Sequence, residues 1–329
     1  MIKISPISVS GLEAHWGSES IGGKIPNSTW MGQGARNLGH SGGVRRFDLL
    51  VAFEGFTPNR RAKLFPEVGE KPAADGWLIQ AQAHESLRNL WTMAPLKVRI
   101  ELERMHHDGF AHSLACLEQS LQGPHDTKRA TGLPGAVFAI LHNDPFRADV
   151  PILSSTAFLA NAGVPAEGPA LRWGLTPTEQ ERTTDLLSDR YREAVGERLH
   201  GTYGLETRTT PERDLQIAGV PQGVNFSPEV FGRPWSIVER WFSSPETLKL
   251  SNWRNQAASQ GWREGEASAL LEFSGKRKAA WSTPSDAETA STSSNRKRKK
   301  KAEMADHDAP WESKWKEAEE NSRRRRQSM

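Results

Sequence analysis

The chain of 329 residues holds a single cysteine, Cys116, and two tyrosines, Tyr191 and Tyr203. One cysteine excludes an intrachain disulfide framework and fits a reducing compartment. Cys116 lies in an apolar helical run and reads as a small buried residue rather than a reactive thiol. No run of about 18 apolar residues occurs, so no membrane-spanning helix and no membrane partner are expected. The start, Met1-Ile2-Lys3-Ile4-Ser5-Pro6, has no apolar core of the signal-peptide kind, and a soluble cytoplasmic protein is expected. A G-x-x-x-x-G-K-[ST] phosphate loop is also lacking. Gly22-Gly23-Lys24 and Ser274-Gly275-Lys276 lack the first glycine, and no ATP site is assigned. No two of His106, His107 and His112 stand at the i, i+4 step that puts two ligands on one helix face, so a solvated or half-buried helix face is expected for them.

What the chain does have is aromatic mass and a divided charge. Twelve Trp, twelve Phe and a hydrophobic content of 36% support a folded core, while a mean hydropathy of -0.63 reports a large solvated fraction. From Gly275 onward the chain carries 15 Lys and Arg against 9 Asp and Glu, which leaves 28 against 31 before it. The sequence pI near 9.0 therefore describes a tail, including Arg296-Lys297-Arg298-Lys299-Lys300-Lys301 and Arg323-Arg324-Arg325-Arg326, rather than the folded part. Phosphate affinity comes mainly from Lys and Arg, so a pI set by the tail says little about the surface of the folded part.

Periodicity predicts a strand within residues 1–10, a helix starting near Ser10, a helix over Phe47–Phe56, a strand over Gly76–Ala83 and a helix from Ser86. It predicts further a long helix over 97–121, strands over Ala136–Leu141 and Pro151–Ala160, and a helix over about 178–200. Helical segments with Trp241, Trp253 and Trp262 are expected over 235–273. The expected organisation is a domain over 1–240, a helical extension over 241–274 and a disordered basic tail over 275–329.

Five glycines crowd the stretch from Trp30 to Val44, a density that permits positive φ and close backbone approach, and the segment reads as a shaped turn. Trp30-Met31-Gly32-Gln33-Gly34-Ala35-Arg36-Asn37-Leu38-Gly39-His40-Ser41-Gly42-Gly43-Val44 resembles the W-x-G-x-G-A-x-x-L-G-x-x-G-x-V signature of TrwC/TraI-type (MobF) conjugative relaxases. Further segments follow in the family's order. Gly76 to Trp91 occupies the place of G-x-D-L-T-F-S-x-P-K-S-V-S, with His84-Glu85-Ser86 where Pro-Lys-Ser would be. Arg99, Glu103 and His106 resemble R-x-x-x-E-x-x-H, and Gly132 to Leu141 resembles the strand before the metal site. Asp144-Pro145 is similar to the D-P before L-H-T-H. Tyr191 to Leu199, Tyr203-Gly204-Leu205-Glu206 and Ile217 to Phe226-Ser227 resemble the closing stretch.

The resemblance implies an α+β fold, a relaxase-like antiparallel sheet flanked by helices, followed by a disordered basic tail. It implies a divalent metal held by three histidines, and tyrosines shortly after the first strand that attack a DNA phosphate at a transfer origin. This chain departs from both sites. His15-Trp16-Gly17-Ser18-Glu19-Ser20 stands where the tyrosines belong. Arg147-Ala148-Asp149-Val150 stands where the H-x-H pair is expected, with the intervening residues shortened. His142 matches the remaining ligand and is the residual metal candidate, with Asp149 beside it. Tyr191 and Tyr203 match non-catalytic positions and are expected to pack, so no catalytic residue is assigned. The candidate nucleic-acid contacts are Arg45, Arg46, Arg147 and Trp16; for Trp30, core packing is the stronger expectation. The expected function is that of a relaxase-like DNA-binding protein of a conjugative or mobile element with degenerate nicking and strand-transfer activity. Single-stranded or hairpin DNA is the expected partner, alongside proteins of the conjugation machinery, and a divalent metal is the one cofactor the resemblance admits. The alternatives are an active nickase with a rearranged site and a non-catalytic protein-interaction scaffold.

Overall fold

Continuous apolar runs make a sheet with two buried faces, because successive strand side chains point to opposite sides. The computed structural model describes residues 1–16, 23–58, 60, 62–65, 74–122, 134–173, 175–211, 213–227 and 244–281, with side chains at 13–16 and 273–281 left aside. Strands β1 (Ile2–Ile7), β2 (Ser28–Met31), β3 (Gly76–Gln82), β4 (Gly135–His142) and β5 (Ser154–Val164) form a five-stranded sheet in the order β1-β3-β5-β4-β2. Every neighbouring pair in it is antiparallel.

One face packs Ile2, Ile4, Trp77, Ile79, Phe138, Ile140, Ala157 and Leu159 against helices α4 (Glu85–Met93), α5 (Leu96–Leu121) and α6 (Pro177–Tyr203). The other packs Val137, Ala139, Phe158, Ala160 and Ala162 against Leu12 of α1 (Val9–Trp16), Ala35 of α2 (Gln33–Asn37) and Leu49, Leu50 and Phe53 of α3 (Arg46–Phe53). Along β4 and β5 adjacent residues belong to opposite layers, as the pleat requires. A small hairpin of β6 (Thr207–Thr209) and β7 (Leu215–Ile217) lies beside α4, and helices α7 (Pro245–Ser259) and α8 (Glu264–Trp281) follow. Leu250, Trp253 and Ala257 of α7 are buried in the same core as α4 to α6.

Local sequence accounts for the helix ends. Thr176 caps α6 in a reciprocal box, its hydroxyl accepting from Glu179 N while the Glu179 carboxylate accepts from Thr176 N at 2.7 Å. Pro177 opens that helix and Gly204, at φ 69°, closes it in the left-handed conformation.

The glycine-rich segment is more than a turn. It contains the end of β2 and all of α2, and two of its glycines are there because backbone lies on backbone. A Cβ on Gly32, which also has φ 99°, would stand 2.2 Å from Ala136 O, and one on Gly34 would stand 2.2 Å from Gly135 O. Gly135 is the reciprocal half of that contact, its Cβ position 2.2 Å from Gly34 N. The W-x-G-x-G spacing thus seats α2 on the start of β4, and Trp30 packs in the core below, stacked on His40 at 4.1 Å.

The strand expected from Pro151 begins instead at Ser154, since Pro151 lacks the N–H a central ladder needs. Trp241 and the tail beyond Trp281 lie outside the described residues. Among the described residues no helix is long and apolar enough to cross a membrane.

Candidate functional site

The adjacent ends of β4 and β5 carry polar side chains on both faces. On the face of α1 to α3, the Asn143 amide nitrogen donates to Ser154 Oγ at 3.0 Å and reaches Thr156 Oγ1 at 3.4 Å. Ser154 and Thr156 are two apart on one strand and so share a face, and Asn143 comes from the neighbouring strand's end, where its N–H donates to Ser154 O at 3.1 Å.

On the opposite face a chain of four groups runs into the core. Tyr191 Oη lies 2.6 Å from His106 Nδ1, His106 Nε2 lies 3.2 Å from Ser155 Oγ, and Ser155 Oγ lies 3.0 Å from His142 Nδ1. Tyr191 is fully buried and its phenol proton needs an acceptor, which is His106 Nδ1. His106 then donates through Nε2 to Ser155, and Ser155 donates to His142 Nδ1, which leaves the His142 proton on Nε2. His107 stacks on His142 at 3.8 Å.

Burial holds these rings neutral. It pushes His142 down to about 4 against an opposing pull from Asp108, and pushes His107 down to about 3 with His142 adding to the effect. His106, fully enclosed, is held well below its ordinary value by burial and then by its histidine neighbours. His84 is lowered to about 4, burial outweighing its 2.9 Å contact with Asp214.

His106 therefore does not lie on the solvated or half-buried helix face expected for it. It falls in the buried stripe of Leu102, Met105, His106, Gly109, Phe110 and Ser113. That signal was present in the spacing, because His106 is four residues from both Leu102 and Phe110. His112 is exposed, and Cys116 beside it is half-buried rather than enclosed. The other members of the R-x-x-x-E-x-x-H segment also hold helices together. Glu103 accepts from Trp91 Nε1 at 2.8 Å, and Arg99 lies over the Trp91 ring at 5.5 Å. In the His84-Glu85-Ser86 segment, Ser86 Oγ donates to Leu215 O at 2.7 Å and ties α4 to β7.

Both tyrosines are on α6. Burial raises the Tyr191 phenol far above its ordinary value, and Tyr203, bonded to Glu101, is raised by burial and by that carboxylate. Neither is available as a phenolate near neutral pH.

The remaining candidates are scattered. Arg45 is exposed at the start of α3, whereas its neighbour Arg46 is only 8% exposed and engaged. Arg147 is exposed in the loop between β4 and β5. Trp16 ends α1 and its side chain lies outside the described residues, as do Gly17 to Ser20. The H-x-H reading over Arg147 to Val150 falls in that irregular loop, where no pleat sets i and i+2 on one face. In the loop from Asn143 to Leu153, Asp149 is exposed, with Lys249 3.9 Å away. His142 turns toward α5, away from Asn143, Ser154 and Thr156.

A five-stranded antiparallel sheet with helices on both faces is the α+β architecture that the resemblance to relaxases implies. The family model of the TrwC relaxase matches residues 18–228, and the chain belongs to that family. Among solved structures, a metal-bound complex of the conjugative relaxase TrwC with oriT DNA matches at TM-score 0.57 and 16% identity, covering 80% of this chain and 100% of that one. A complex of TrwC with a 27-mer DNA comprising the recognition hairpin and the cleavage site matches at TM-score 0.55 and 16% identity, with the same coverage of 80% and 100%. A copper-bound TrwC complex with oriT DNA matches at TM-score 0.56 and 15% identity, again over 80% and 100%. These likenesses show the fold. No curated protein matches significantly.

The described residues do not fit a metal ion. Among the described residues no three His, Cys, Asp or Glu side chains are grouped to hold one. Both nitrogens of His106 are engaged, and His142 Nδ1 is taken by Ser155. The groups that converge at the strand ends are an amide and two hydroxyls, all neutral.

Proposed function

We propose that this protein is a DNA-associated member of the TrwC relaxase family, serving a conjugative or mobile element, that binds single-stranded or hairpin DNA and has lost the family's nicking and strand-transfer activity. One observation carries the loss of chemistry: the chain has two tyrosines, and both are engaged on α6, Tyr191 buried against His106 and Tyr203 half-buried and bonded to Glu101. The attacking oxygen of the family's reaction would have to come from the segment His15 to Ser20, which contains no phenol. Binding is supported by family membership and by the solved TrwC complexes, all of which contain DNA. The contacts we assign are Arg45, Arg147 and Trp16, with the basic residues from 275 onward as an additional polyanion-binding arm and Arg46 in a supporting place. Proteins of the conjugation machinery are the further partners this reading admits.

Incubation with supercoiled plasmid and Mg²⁺ or Mn²⁺ is expected to give no nicked product and no protein covalently joined to DNA. Mobility shifts with single-stranded and hairpin DNA are expected to show binding that weakens by about tenfold or more between about 50 and 200 mM salt, as a few phosphate contacts require. A covalent adduct would refute the loss of activity. Binding to a protein partner that is insensitive to salt, with no DNA binding, would favour a scaffold, a reading to which the near-neutral charge before Gly275 lends support.

A further inference from the structure

In the family pattern the metal-holding histidines comprise an H-x-H pair after a D-P and one more from the preceding strand. Such a set needs three positions, i and i+2 on one strand and a neighbour on the next, whose side chains meet at one point on one face of the sheet. The described fold has such a point. Ser155, Ala157 and Leu159 of β5 face α4 to α6, so Ser154 and Thr156 face the layer of α1 to α3 with Phe158 and Ala160. Asn143 joins them there, its amide within 3.0 and 3.4 Å of the two hydroxyls. On this placement Leu153-Ser154-Ser155-Thr156, rather than Arg147 to Val150, would stand in the place of L-H-T-H. The face agrees too, because α1, which follows the first strand as the family's tyrosine segment does, packs Leu12 into the same layer.

We propose that Ser154 and Thr156 fill the positions of the family's H-x-H pair, that Asn143 rather than His142 stands with them as the third member, and that the three form a cation-free site that receives an anionic phosphate oxygen directly. The count of hydrogens supports the exchange. The amide gives one N–H to each hydroxyl, and a hydroxyl that accepts still has its own proton to donate. Among the described residues, neither Ser154 Oγ nor Thr156 Oγ1 has a second partner. The Thr156 residue is only 3% exposed, so its free proton is held at a nearly closed place beside Asn143. Two O–H donors beside a neutral amide suit an oxygen that carries negative charge, and with no imidazole or carboxylate among the three they hold a divalent cation only weakly. The choice of a phosphodiester as ligand rests on the DNA-binding reading above; the rejection of a cation does not.

The test uses the full chain and the shape-preserving double variant Ser154→Ala, Thr156→Val. Calorimetric titration with Mn²⁺ is expected to give no binding that the double variant abolishes. A short labelled single strand is expected to bind wild type equally in EDTA and in Mn²⁺, and the double variant about tenfold more weakly at the same salt, as the loss of two hydrogen bonds implies. Thermal unfolding should show both proteins folded, the variant melting somewhat lower because the Asn143 amide loses its two acceptors. Mn²⁺ binding in wild type that disappears in the variant overturns the proposal, and equal DNA affinity of the two proteins overturns the phosphate role. Should wild type bind no DNA with or without the cation, the DNA-binding reading falls and the phosphate role with it, while the Mn²⁺ titration still decides whether the site rejects a cation. The geometry is checked by Asn143→His, Ser154→His, Thr156→His: Mn²⁺ binding gained by this variant supports it, and a folded variant without such binding overturns it. If that variant does not fold, the double variant decides.

Discussion

Acid should unfold this protein through its buried histidines, and His142 allows the effect to be isolated. Its folded-state pKa is lowered from 6.5 to about 4. The unfolded chain therefore takes up the proton first as pH falls, and stability is lost from about 6.5 down to about 4, with no further loss below the folded value. At about pH 4.5, roughly two units below the unfolded pKa, this one group costs ~2–3 kcal/mol relative to about pH 7.5. His107 and His84, lowered to about 3 and about 4, act in the same direction and window. Their sum is comparable with the total stability of an ordinary domain, ~5–15 kcal/mol. Replacement His142→Gln removes one titrating ring and relieves His107 of its second cause of suppression. Urea unfolding of both proteins at the two pH values should show wild type losing ~2–3 kcal/mol more than the variant on acidification. Parallel losses would mean that His142 is not held neutral by the fold, and the proton order drawn from Tyr191 through Ser155 would fall with it.

Two further outcomes follow from contacts already described. Gly34→Ala places a Cβ 2.2 Å from Gly135 O, where only backbone movement can make room, and should cost more than ~3 kcal/mol or abolish folding, as read by thermal melting. A similar substitution at Gly39, which has no atom within 4 Å of its Cβ position, should cost only the strain of its positive φ, ~1 kcal/mol. Tyr191→Phe leaves His106 Nδ1 buried without a donor and should lower stability by ~1–3 kcal/mol at neutral pH, measured by urea unfolding; an unchanged midpoint would show that the ring finds another partner.

Much of the fold is legible along the chain because it rests on local rules. Apolar strand-length runs locate β3 and β4, and Gly204 and Pro177 bound α6, with the capping Thr176 beside them. The W-x-G-x-G spacing marks a close approach even before its partner is known, since glycine is the residue that permits one. Legibility fails where partners are distant in sequence. His106 lies 49 residues from Ser155 and 85 from Tyr191, and nothing local distinguishes a solvated helix histidine from one that completes such a chain. The start of β5 was misplaced for a related reason: the D-P and the strand that follows are joined by an irregular loop, whose length no periodicity reports.

By itself, then, the sequence determined the class of the fold, the order of its elements and the lack of a tyrosine after the first strand, all properties of neighbours within a turn or a strand of one another. Only the tertiary structure decided what stands at the ends of β4 and β5. Pleating sends His142 and Ser155 to one side and Asn143, Ser154 and Thr156 to the other. The pairing of antiparallel strands, which no single segment encodes, brings an amide and two hydroxyls together on the face that α1 covers.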